Sequence, residues 1–178
     1  MVEEKQFDAA EEVASKVMNL IPSEGNQFAV CKSHRILGKV YQSKGEVEEA
    51  VGHYNMALGV ASSFDWHDQM FWAYYALAEL FCDESRFDDA YGHLEHAKSH
   101  AANDAYQMGR AVGLQAWVLY GQGRSEEARL GVQHALNIFE RIGAAQDLEK
   151  CKKLLQDIQT GLGSSPVSGR SGDSCEFL

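Results

Sequence analysis

The chain has 178 residues, 45% of them hydrophobic and 24% charged, with a net charge of −10. That length suits one domain with a continuous core, and the negative balance argues against nonspecific binding to nucleic acid or an anionic membrane. No apolar run is long enough to span a bilayer, and Cys31, Cys82, Cys151 and Cys175 share no CxxC spacing, which reads as reduced thiols in a cytoplasmic protein.

The opening stretch, MVEEKQFDAA, is acidic and carries no signal-peptide pattern. Ala10, Ala14 and Val17 then place small and apolar residues on one helical face. The same order returns as Ala50, Tyr54, Ala57, then as Ala90, Leu94, Ala97, and then as Ala128, Val132, Ala135. Successive copies are offset by 40, 40 and 38 residues, and self-similarity at a fixed period of this size marks a stacked repeat protein. Twelve residues before each of the last three copies stand Gly38, Ala78 and Ala116, and three residues after those stand Tyr41, Phe81 and Leu119. Each unit therefore reads as a first helix with a small residue where it crosses its partner, a short turn, and a second helix with two small residues. Turns are expected at Lys44-Gly45, Glu84-Ser85 and Gly123-Arg124, with Ser85 and Ser125 read as helix starts.

In chain order the expected domain covers residues 1–160. A partial repeat at 4–22 supplies a second helix whose first helix is missing, so the chain is expected to be either a fragment of a longer array or the product of a gene that has lost its upstream part. Repeats follow at about 27–62, 67–102 and 105–141. A more polar helix at 144–160, with Leu148, Cys151, Leu154, Leu155 and Ile158 on one stripe, closes the array as a cap. Residues 161–178, rich in Gly and Ser, are expected to form a disordered tail.

The order small, aromatic, Ala, large, Ala resembles the tetratricopeptide repeat (TPR). It is present as Gly38, Tyr41, Ala50, Tyr54, Ala57 and as Ala78, Phe81, Ala90, Leu94, Ala97. The third copy is weaker, with Gln115 where a Leu is expected and Leu119 in place of the aromatic. The period near 40 exceeds the usual ~34 and resembles the long-helix repeats of kinesin light chains. The segments SHRILGKVYQSKGEVEEAVGHYNMALGVASSFDWHDQMFW and ESRFDDAYGHLEHAKSHAAND resemble TPR tails of fungal signalling P-loop ATPases. No GxxxxGK[ST] loop occurs in this chain, so nucleotide hydrolysis by that route is excluded. The resemblance implies an all-α, right-handed TPR-like solenoid of antiparallel helix pairs, used for binding and not for chemistry.

In such a stack the first helices line a concave groove. The positions expected to face it are Lys32, Arg35, Lys39 and Gln42 in the first repeat, Trp72, Tyr75, Glu79 and Cys82 in the second, and Arg110, Gly113, Trp117 and Tyr120 in the third. Cations beside the aromatics Trp72, Tyr75, Trp117 and Tyr120 suit an extended or helical peptide with acidic and apolar residues. The competing reading packs Trp72, Tyr75 and Trp117 between repeats and leaves the cations as a solvated face. The carboxylate clamp known in the family is not expected, because its five positions hold Arg35, Lys39, Ala76, Arg110 and Leu114, with both amides gone.

His93, His96 and His100 share one helical stripe, but no further ligand accompanies them and no metal is expected. Acidic pairs such as Glu48-Glu49 and Asp88-Asp89 open second helices, where they favour the positive end of the helix dipole. No GxSxG or catalytic set occurs, so neither an enzyme nor a cofactor is expected. The leading function is a protein–protein interaction scaffold binding a peptide or partner domain, as a piece of a larger regulatory protein. The alternative is self-association through the uncovered N-terminal helix, so the protein is expected to be monomeric or weakly self-associating. The tail's Asp173, Glu176, Phe177 and terminal carboxylate are a candidate internal ligand for the groove wall at Arg110, set against a tail that simply stays disordered.

Overall fold

The computed structural model describes residues 12, 15, 16, 25–101 and 103–160. The expectations for the partial repeat at 4–22 and for the tail at 161–178 therefore lie almost wholly outside the described residues. Among the described residues all regular structure is α-helical: α1 (Gln27–Lys44), α2 (Val47–Ser63), α3 (His67–Asp83), α4 (Phe87–His100), α5 (Ala105–Gly121), α6 (Ser125–Ile142) and α7 (Ala145–Thr160). Two- to four-residue links join them, and within each unit such short links turn successive helices antiparallel. The chain divides into two compact units, Met1–Leu77 and Ala78–Leu178, and the boundary falls inside α3.

In the first unit α1 and α2 pack along their length. Their crossing is set by Gly38, where a Cβ would lie 2.5 Å from Cε1 of Tyr54. Tyr54 is 1% exposed and donates its hydroxyl to Gln42 Oε1 at 2.8 Å. Cys31, Ala57, Ala61, Met70 and Ala73 form a buried cluster flanked by Leu58, Val60, Trp66 and Tyr74. Helix α1 starts at Asn26, whose side chain accepts from the Ala29 amide, and stops at Gly45 in the left-handed region.

In the second unit α4 packs on α5, α5 on α6, and α6 on α7. Ala116 takes the crossing position, and Gly131 of α6 comes so close that a Cβ there would sit 2.9 Å from the Ala116 Cβ. Val112, Ala116, Val132, Ala135, Phe139, Cys151 and Leu154 make one core, with Leu148, Leu155 and Ile158 of α7 partly buried against it. The Asp104 carboxylate caps α5 by accepting from the Tyr106 and Gln107 amides at 2.8 and 3.0 Å.

Gln115 is where a consensus Leu is missing, and its side chain has found polar partners. It accepts from Lys98 Nζ at 3.0 Å and donates to Glu95 Oε1 at 2.6 Å, so an α4 ion pair is bridged to α5. The Lys98 ammonium, hydrogen-bonded to Glu95, holds that carboxyl below its ordinary pKa.

The two serines read as helix starts do different work. Ser85 lies at φ 58° in the turn, two residues before α4. Ser125 is the first helical residue of α6, and Arg124 occupies its N-cap. The turn geometry decides this. Gly45, Ser85 and Gly123 occupy one position of the repeat, and all three are left-handed. Arg86 and Arg124 stand just after, outside their helices, and pair with Asp89 and Glu127 in the first turn.

Candidate binding surface

In the first unit, Lys32, Arg35 and Lys39 follow one another along a stripe of α1. Lys32 is exposed, while Arg35 and Lys39 are partly buried. The Lys32 ammonium lies 4.5 Å from the centre of the Phe28 ring, one turn earlier. The Arg35 guanidinium lies 5.9 Å from the Trp72 ring of α3 and donates to Gln69 Oε1 at 3.4 Å. Burial lowers the pKa of Arg35, opposed by the nearby Cys31 and Asp68. No described carboxylate comes within ion-pair distance of Lys32, Arg35 or Lys39, in contrast to Lys98, Arg110 and Arg124.

The aromatic candidates differ in how much ring they present. Trp72 is partly buried, edge-on to Phe71 at 4.9 Å and to Tyr75 at 6.0 Å. Tyr75 is 2% exposed and stacks on Phe71, so it belongs to the core. The same helix thus carries one ring with an open part and one without.

In the second unit, Arg110 of α5 faces Glu79 at 3.8 Å, with both side chains largely buried, and also donates to the Tyr106 hydroxyl at 3.3 Å. Its charge is met locally. Trp117 packs on the α5–α7 core and edge-on to Phe87 at 5.9 Å. Tyr120 donates its hydroxyl to the Asp157 carbonyl at 3.4 Å, tying α5 to α7. These three residues share α5, but each is engaged within its own unit.

Two histidine environments recur. His53 stacks on Tyr41 with centroids 5.2 Å apart and planes at 6°, and His93 stacks on Phe81 at 5.2 Å and 11°. Both pairs are twelve residues apart, so they hold the same place in successive repeats. Burial pushes both imidazoles below their ordinary pKa, with His96 adding to the effect on His93. The third repeat has Leu119 and Gly131 at these positions. Among the described residues no group of three metal-ligating side chains converges.

Positional counting did not single out Phe28, Phe64 and Trp66. Phe28 is one turn ahead of Lys32 on the same stripe, which was a usable signal. Phe64 and Trp66 belong to the link between α2 and α3, where helical periodicity says nothing.

No protein-family model and no curated protein matches the sequence. Solved structures do match. Aspartyl phosphate phosphatase F from Bacillus subtilis superposes with a TM-score of 0.78 at 17% identity, over 92% of this chain and 44% of that one. BtubC (BKLC) from P. vanneervenii superposes with a TM-score of 0.63 at 16% identity, over 96% of this chain and 80% of that one. The chain spans less than half the length of the phosphatase it matches. At such identities the likeness is one of fold, and the fold is an all-α, TPR-like solenoid of helix pairs.

Proposed function

We propose that the protein is an interaction scaffold that binds an extended, acidic, aromatic-containing peptide segment of another protein and performs no chemistry on it. The observation that carries this reading is the α1 stripe of Lys32, Arg35 and Lys39. In a chain of net charge −10 these cations have no described carboxylate partner within ion-pair distance, and Arg35 lies beside the partly open Trp72 ring. Cations set next to a rigid aromatic suit carboxylates and apolar side chains alternating along one strand of peptide. In the second unit, taken by itself, the Arg110 charge is already met by Glu79, so the reading rests on the α1 stripe. A reducing, cytoplasmic setting fits the buried thiols of Cys31, Cys82 and Cys151.

The test is fluorescence anisotropy with a labelled nonapeptide alternating Glu with Phe and Trp, at low and moderate salt. The Arg35→Glu/Lys39→Glu variant is expected to bind at least tenfold more weakly, and added salt is expected to weaken the wild type. Unchanged binding after the double charge reversal would overturn the proposal. Mass by light scattering over a concentration series distinguishes this scaffold from a self-associating module.

A further inference from the structure

Phe28, Phe64 and Trp66 form a continuous aromatic shelf at one end of the α1–α2 pair. Phe64 stacks on Trp66 with centroids 4.8 Å apart and planes at 16°. Phe28 meets the same indole edge-on at 5.3 Å. Phe28 and Phe64 are 39% and 50% exposed, which places them among the few large apolar side chains of the described residues left open to solvent. Both contact the same Trp66 ring.

The shelf is rigid. Trp66 packs on the buried cluster of Cys31, Ala57, Ala61, Met70 and Ala73. Its amide donates to the Ala61 carbonyl at 2.9 Å, and the Phe64 amide donates to the same oxygen at 3.3 Å. A ring entering the shelf would freeze few rotamers that are not already fixed.

Its charge is one-sided. The Lys32 ammonium sits over the Phe28 ring with no described carboxylate in reach. The one acid in the link, Asp65, turns to His67 at 3.4 Å. Beyond Lys32, the α1 stripe continues to Arg35.

We infer that this shelf is the anchor point of the peptide proposed above: it takes one aromatic or large aliphatic side chain, while Lys32 takes a carboxylate within one or two residues of it. The inference rests on the scaffold reading and adds where the peptide is held and by what local sequence. Charge complementarity selects this occupant. An apolar side chain alone would satisfy the shelf and leave the ammonium unused, and a basic peptide would meet Lys32 and Arg35 in repulsion.

The experiment uses the full chain and three fluorescein-labelled heptapeptides: Gly-Glu-Glu-Phe-Glu-Glu-Gly, the same with Ala for Phe, and the same with Lys for Glu. Binding is read by anisotropy, and the Trp66 indole resonance is followed by NMR. The Phe peptide is expected to shift that resonance and to bind at least tenfold more tightly than either relative. Phe64→Ser and Lys32→Glu are each expected to lower its affinity at least fivefold, with the helical circular dichroism unchanged. If the Trp66 resonance stays fixed while binding still depends on Arg35 and Lys39, the anchor is overturned and the scaffold reading stands. If no peptide binds, both fall. Equal binding of the Lys peptide overturns the charge argument. Concentration-dependent dimerisation abolished by Phe64→Ser assigns the shelf to a second copy of the chain and also overturns the inference.

Discussion

The Nδ1 atoms of His34 and His53 lie 3.0 Å apart, and their ring centroids 5.3 Å apart, so the two nitrogens face each other in line between the rings. One ring donates and the other accepts. A single hydrogen fits between them whether the pair is neutral or carries one added proton. Two protonated rings would set N–H against N–H. Burial pushes both imidazoles below their ordinary pKa, and for His34 the neighbouring His53 adds to the effect.

Stability is therefore expected to depend on pH with a definite sign. The unfolded chain binds protons near the ordinary histidine pKa of ~6.5, while the folded chain resists them. Stability should be level above that value, fall as pH drops through it, and level off again below the depressed folded pKa. His93 in the second unit adds in the same direction. Urea unfolding at closely spaced pH values between neutrality and mild acid checks this. His53→Gln, which keeps a polar partner for His34, is expected to flatten the slope. A wild-type stability that rises on acidification over this range would contradict the arrangement.

The helix crossing can be probed by one kind of substitution with two outcomes. At Gly38 an added Cβ runs into the enclosed Tyr54 ring, whereas at Gly92, mid-helix in α4, it meets nothing within 4 Å. Gly38→Ala is expected to destabilise by about 1–3 kcal/mol through overpacking. Gly92→Ala is expected to stabilise by about 0.5–1 kcal/mol, because alanine restricts the unfolded chain and suits a helix. Thermal melts that move the same way for both variants would refute the crossing.

Ser85 occupies a left-handed turn position, φ 58°, that Gly45 and Gly123 fill elsewhere. A side chain in that region costs roughly 1–2 kcal/mol relative to the right-handed one, and glycine avoids most of this. Ser85→Gly is expected to raise stability by about 1 kcal/mol, and Gly45→Ser to lower it by a similar amount. Denaturant midpoints measured in parallel decide the point.

What was legible in the sequence was the repeat. Ala50, Ala57, Ala90, Ala97, Ala128 and Ala135 are each 0% exposed, because only small residues fit where helix axes approach, and that demand recurs with the period. The order of cations along α1 was legible for the same reason. Whether a charge is already met was not. Arg110 finds Glu79 across two helices, 31 positions away in sequence, and helical counting does not register lateral pairing of this kind. Tyr75 counted as a groove position but is enclosed, since counting gives a direction and not what covers it. The turn at Glu84-Ser85 was legible, but a serine before an acidic helix start also mimics a cap, and Ser85 instead holds the left-handed turn position of Gly45 and Gly123. The paired appearance of Leu119 and Gly131 in the third repeat was likewise present in the sequence, but its meaning needed the His–aromatic stacks of the first two.

The Cys151 thiol is 0% exposed and pushed up to about 12, chiefly by burial and then by Asp147. At neutral pH it is neither reachable nor ionised while α7 stays docked, so an alkylating reagent can modify it only during an opening event. The protein thus carries its own clock for detachment of α7. Its labelling rate, compared with those of the buried Cys31 and Cys82, reports in what order the helices let go.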